Sequence, residues 1–209
     1  WRALHCAPSG EGIMDESLPR YEFRAWAARL DDVATHIRSL SDCLEVRDSR
    51  ETYLVSRAVE HANPKVRGGQ LDVKVLVAVR EGFEQWDPRI KEDFPIRDEL
   101  LRSRLFPLLR LRLPPLDRPE YTVSQLIEEV VDPHPDLAAF EVTKRRLTYA
   151  VNGCIAELAY VSIGDLELQT AAVEGVDLDS LLEARRLTGL DGHHNVSYPS
   201  AIKRYARPY

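Results

Sequence analysis

Between residues 140 and 174, three β-rich runs follow one another with almost nothing between them. Residues 140–152 reach Gly153, residues 154–163 run to Gly164-Asp165, and residues 166–174 follow directly. Connections this short permit antiparallel pairing and exclude parallel crossovers. The same signature recurs upstream, where Lys65-Val66-Arg67 leads through Gly68-Gly69 into residues 71–79. A Gly-Gly pair supplies the positive φ angles of a tight hairpin. Residues 21–26 and 51–59 carry the aromatic and β-branched residues of further strands. Asn63-Pro64 reads as a turn.

Helical spacing punctuates these strands. Asp31 and Asp32 open one helix, with Val33, Ile37 and Leu40 on one face. Leu100, Leu101, Leu105, Leu108 and Leu109 suggest a second, interrupted near Pro107 and stopped by Pro114-Pro115. Residues 122–131 form a third, with Thr122 or Ser124 near its N-cap, and Pro133-His134-Pro135 ends it. Residues 178–187 make a helix closed by Gly189, and residues 200–205 a short terminal one. This order predicts an α+β fold with a mainly antiparallel sheet.

A chain of 209 residues buries enough surface for one core without staples. Residues 21–209 read as a single domain and residues 1–20 as a disordered N-terminal extension, with Met14 the sole methionine. The formal net charge of −6 argues against a global basic surface for duplex DNA. Any anion site must be a local concentration of Lys and Arg. Cys6, Cys43 and Cys154 are odd in number and lack metal-ligand spacing, which points to a reducing compartment and a cytoplasmic protein. No apolar run approaches the length of a membrane span. The sequence is compatible with a homodimer.

Residues two apart in a strand share a face. Lys65 and Arg67 therefore point together, as do Asp72 and Lys74, and as do Lys144, Arg146 and Thr148. Glu22, Arg24 and Trp26 form another such set. One pair alone reads as a solvated sheet face. Lys-x-Arg occurring twice suggests convergence inside a barrel, where the cations repel unless carboxylates or a bound anion compensate them. Glu22, Asp72, Glu157 and Glu174 are available for that.

The ordered set resembles the CYTH-like superfamily, the triphosphate tunnel metalloenzymes. The likeness is carried by Lys65-Val66-Arg67, Leu71-Asp72-Val73-Lys74, Lys144-Arg145-Arg146, Gly153, Glu157, Ala172-Val173-Glu174, Thr188-Gly189-Leu190 and Ser197-Tyr198-Pro199. It implies an eight-stranded antiparallel β-barrel, or tunnel, with flanking helices, and a metal-assisted phosphohydrolase acting on a tri- or polyphosphate compound. On that resemblance Arg24, Lys65, Arg67, Lys74, Lys144 and Arg146 grip phosphate, and Glu22, Glu157 and Glu174 hold Mg²⁺ or Mn²⁺. This chain departs from the family pattern on its metal side. Arg24 stands where a second carboxylate is expected, Trp26 where a lysine is expected, and Ala172 and Val161 replace further carboxylates. A thinned carboxylate set holds a divalent ion less tightly. A non-catalytic binder or sensor of phosphorylated ligands is therefore the alternative.

Other constellations read as structural. His193-His194 with Asp191 is a loop pair, and Cys154 is a small buried hydrophobe. Arg102, Arg104, Arg110 and Arg112 form a solvated face.

Overall fold

The computed structural model describes residues 19–206, so the expectations for the N-terminal extension and for Cys6 fall outside the described residues, apart from Pro19 and Arg20. Ten strands are present among them: β1 (Arg20–Ala27), β2 (Glu45–Ser56), β3 (Ala62–Arg67), β4 (Gln70–Arg80), β5 (Phe83–Asp93), β6 (Ile96–Arg97), β7 (Glu120–Tyr121), β8 (Leu137–Val151), β9 (Cys154–Ile163) and β10 (Leu166–Gly175). Eight of them close an antiparallel barrel in the order β1-β10-β9-β8-β2-β3-β4-β5, and β6 pairs with β7 outside it. The fold is α+β, as the sequence predicts.

Tight turns fix the register. Gly68 and Gly69 take φ of 57° and 77° between β3 and β4. Asn152 and Gly153 take 50° and 74° between β8 and β9. Two positive φ values in succession are those of a two-residue hairpin whose twist matches the strands.

Three expectations need correction. Asn63-Pro64 lies inside β3, with Pro64 opposite Val73. The pairing of β2 with β3 begins only at Lys65, so the missing N–H of Pro64 falls where the strand has one neighbour. β5 is absent from the sequence reading, because its charged residues and Pro88 mask it. Pro88 sits beside a bulge: Val73 faces Ile90 while Lys74 faces Pro88, leaving Arg89 unpaired. β2 starts at Glu45, six residues before the β-rich run, because its first half is polar and largely exposed.

The helices are α1 (Asp31–Leu40), α2 (Asp98–Leu100), α3 (Phe106–Leu109), α4 (Val123–Leu126), α5 (Leu178–Leu187) and α6 (Tyr198–Tyr205). A π-helical stretch, Leu101–Leu105, joins α2 to α3, and another, Ile127–Val131, extends α4. Thr122 caps α4 with a reciprocal Gln125 bond. The outer face of β1 and β8–β10 packs on α1 and α5 through Phe23, Ile37, Leu158, Val173 and Leu181. The outer face of β2–β5 packs on the helices of residues 98–131 through Leu54, Leu71, Leu101, Phe106 and Leu126. With both outer faces covered by helices, the inward positions are left for polar chemistry.

The chain end completes the wall. β1 pairs with β5 only over Arg20–Glu22. Beyond that, Val196 N donates to Arg24 O at 2.8 Å, and Arg24 N donates to Asn195 Oδ1 at 2.8 Å. Asn195 Nδ2 donates to Glu22 O and Gly82 O, tying β1 to the β4–β5 turn.

Candidate functional site

The barrel encloses a cavity of about 290 Å³. All nine candidate residues from the sequence line it. Glu22 and Arg24 come from β1, Lys65 and Arg67 from β3, Lys74 from β4, Lys144 and Arg146 from β8, Glu157 from β9 and Glu174 from β10. Strand alternation brings them inward, since each set two apart shares one face. Nine lining side chains are Lys or Arg and five are Asp or Glu, so a chain of net charge −6 carries a positive interior.

Two ion-pair networks organise this interior. In the first, Arg24 Nε donates to Glu22 Oε1 at 2.7 Å, and Nη1 donates to Glu157 Oε1 at 2.8 Å and to Thr170 Oγ1 at 3.3 Å. Arg146 Nη1 lies 3.4 Å from the other oxygen of Glu157. Arg20 Nη1 lies 3.1 Å from Glu174. Arg24 is 4% exposed. Burial raises a carboxyl pKa, yet the surrounding cations, Arg24 first among them and Arg146 at Glu157, together hold both Glu22 and Glu157 below their ordinary range. Lys74 adds its field at Glu22.

The second network centres on Glu51, which the sequence reading missed. Its carboxylate accepts from Lys144 Nζ at 2.8 Å and from the Tyr53 hydroxyl at 3.1 Å, with Lys65 Nζ at 3.3 Å and Arg67 Nη1 at 4.0 Å. Asp72 shares Lys65 and Arg67 at 3.9 and 3.5 Å. Burial and the neighbouring Lys65 push Lys144 down to about 7, against the pull of Glu51. Burial also lowers Lys65, in part offset by Glu51. The cations here outnumber the carboxylates that hold them, which is the arrangement that favours an added anion.

Arg20, Arg47, Tyr53, Lys91 and Tyr198 also line the cavity and were not singled out for it in the sequence. Glu51 and Tyr53 share a strand face, a signal available from alternation alone. Arg47 lies on the polar half of β2 and Lys91 on β5, the two segments whose strand character was hidden.

The carboxylates do not fit a divalent ion as they stand. Among the described residues no three of His, Cys, Asp and Glu are grouped to hold a metal. Glu22 and Glu157 are bridged instead by the Arg24 guanidinium, and Glu174 faces Arg20. Cys43 is half-buried and Cys154 buried. No helix among the described residues is long and apolar enough to cross a membrane.

No family model and no curated protein matches the sequence. Solved structures do match the fold. The adenylyl cyclase-like protein HpAC1 from Hippeastrum, reported with a dominant triphosphatase activity, superposes with a TM-score of 0.50 at 15% identity, covering 90% of this chain and 96% of its own. The fold is CYTH-like. A conserved hypothetical protein from Pyrococcus furiosus gives a TM-score of 0.49 at 15% identity, covering 86% of this chain and 98% of its own. An adenylate cyclase-like protein from Bacillus halodurans gives 0.47 at 12% identity, covering 88% and 95%. At such identities the CYTH-like likeness concerns the fold, and function must be argued from the cavity.

Proposed function

We propose that this CYTH-like chain binds a small tri- or polyphosphate compound in its barrel and compensates the ligand's charge with its own cations rather than with a bound metal. The observation that carries the reading is the pair of networks: six inward Lys and Arg side chains predicted from sequence line one cavity, and Arg24 lies between the carboxylates expected to hold Mg²⁺ or Mn²⁺. Guanidinium and ammonium groups form the strong, charge-assisted bonds that phosphate oxygens accept. A fixed guanidinium between Glu22 and Glu157 repels a divalent cation and leaves the basic wall free for an anion.

The second reading is a metal-assisted triphosphatase. It is favoured by the activity reported for HpAC1 and by three carboxylates, Glu22, Glu157 and Glu174, lining the same cavity. Calorimetric titration of tripolyphosphate separates the two. The binder takes it up in EDTA with undiminished affinity; a metal-dependent enzyme binds it weakly there and releases phosphate from tripolyphosphate or ATP once Mg²⁺ or Mn²⁺ is added. Absence of binding under both conditions contradicts both readings.

A further inference from the structure

The first half of β2 is an open strand edge. Residues 45–50 pair with β8 along one side, while pairing with β3 on the other side starts only at Glu51. Among the described residues no strand takes the N–H and C=O groups that residues 45–50 turn away from β8. Such an edge is a template for another chain unless its side chains refuse the partner. Glu45, Val46, Arg47, Asp48 and Arg50 are exposed, so their charges decide which partner fits.

Those charges are antisymmetric about Val46. Glu45 stands directly before it and Arg47 directly after, and Asp42 and Arg50 stand equally far on either side. A two-fold axis normal to an antiparallel pair sets one residue opposite its own copy, and matches each residue before it with the one equally far after it. With the axis at Val46, Glu45 faces Arg47 of a second copy, Arg47 faces its Glu45, and Asp42 and Arg50 meet in the same way. Leu44 faces Asp48, and no like charges oppose. An axis at Glu45, Arg47, Asp48 or Arg50 sets that charge against itself, which is destabilising. An axis at Ser49 needs Glu51 and Thr52, which β3 already holds.

The faces agree with this register. Glu45 and Arg47 line the cavity, so alternation puts Val46 on the outer face, where it lies opposite Leu147. Val46 is 50% exposed and Leu44, two residues earlier, 58%. Arg50 already meets Glu141, whereas Glu45, Arg47 and Asp48 form no ion pair among the described residues. We propose that two copies of this chain join along these edges, antiparallel about Val46, so that one sheet runs from barrel to barrel. The pairing covers Val46, gives Glu45 and Arg47 their opposite charges, and brings the second copy's Arg47 and Glu45 to the edge of each cavity. Each barrel closes without the partner, so the pairing is reversible and the diluted chain folds as a monomer.

Sedimentation velocity of the whole chain over a concentration series tests this. The parent is expected to pass from monomer to dimer as concentration rises. A parent that stays monomeric throughout leaves the edge to a different protein and overturns the proposal. Glu45→Arg and Arg47→Glu each set like charges opposite one another, twice per dimer. Each is expected to weaken self-association at least about tenfold. Mixed in equal amounts, with one of them fluorescently labelled, the two variants again present opposite charges at both contacts. A heterodimer of near-parental affinity is expected. Dimers that persist in both single variants, a mixture that stays monomeric, or assembly beyond a dimer would each overturn the register about Val46.

Discussion

Arg24 Nη1 meets Glu157 Oε1 at 2.8 Å across the barrel interior, joining β1 to β9, two strands separated by β10. With its Nε on Glu22, the guanidinium is the cation of a site whose carboxylates would otherwise face one another. Arg24→Ala leaves Glu22 without its ion-pair partner and Glu157 with Arg146 alone. We expect a loss of about 3–5 kcal/mol in unfolding free energy, the usual consequence of removing one partner from a buried pair. Mn²⁺ should then restore part of the variant's melting temperature while leaving the parent chain unaffected. Melting curves of both proteins with and without Mn²⁺ check this; a parent chain stabilised by Mn²⁺ as much as the variant contradicts it.

Glu51 does the corresponding work on the basic wall. Glu51→Gln removes the charge shared by Lys65, Lys144 and Arg67. The apo protein should lose about 3–5 kcal/mol. Tripolyphosphate should stabilise the variant more than the parent, because the ligand then supplies the missing anion. Ligand-dependent melting shifts decide it, and a smaller shift in the variant contradicts the placement of the ligand beside Lys65 and Lys144.

Half-buried Glu84 and buried Lys144 give the apo protein an uncommon pH profile. Glu84 is raised from 4.5 to about 7, first by burial and then by Glu22. Between those values the folded chain keeps a proton that the unfolded chain has lost, so this group's contribution falls as pH rises. Lys144 is lowered from 10.5 to about 7, by burial and by Lys65. Between pH 7 and 10.5 the unfolded chain binds the proton that the folded chain has lost, so stability rises with pH, by at most about 1.4 kcal/mol per unit. The two windows meet in a stability minimum near neutrality. Lys144→Met should flatten the upper arm, as measured by urea unfolding at pH 7, 8 and 9. Anion binding favours charged Lys144, so tripolyphosphate should be bound with proton uptake at pH 8, seen as a dependence of the calorimetric heat on buffer ionisation enthalpy.

The sequence discloses most of this fold because alternation and turn chemistry agree. Gly68-Gly69, Asn152-Gly153 and Gly164-Asp165 mark three of the barrel's hairpins, and parity alone places Lys144 and Arg146 on the side that becomes the cavity. What it conceals has local causes. β5 hides behind Pro88 and its own charges, and the bulge at Arg89 is needed for Pro88 and Lys91 both to face inward. The first half of β2 is almost wholly polar because it projects beyond β3 and pairs with β8 alone. Pairwise contacts stay hidden as well. In sequence Arg24 stands where a carboxylate is expected and is assigned to phosphate; the barrel's closure shows Glu22 and Glu157 clasping it.

Arg47 is an exposed residue of the cavity lining, opposite Arg146 in the β2–β8 register. A charge there acts on approach more than on the bound state. Arg47→Glu should slow tripolyphosphate association several-fold at low salt, lose most of that effect at high salt, and leave the melting temperature within about 1 °C. Stopped-flow association rates over a salt series test it. An effect confined to dissociation would place Arg47 in contact with the bound ligand instead.

The central claim is that the protein's own cations hold a phosphate chain inside the barrel. Its most direct test is a crystal structure of the chain grown with tripolyphosphate in EDTA. The account predicts phosphorus density within hydrogen-bonding reach of Lys65, Arg67, Lys144 and Arg146, with Arg24 still bonded to Glu22 and Glu157. Density confined to the outer surface, or an empty barrel at saturating ligand, would contradict it.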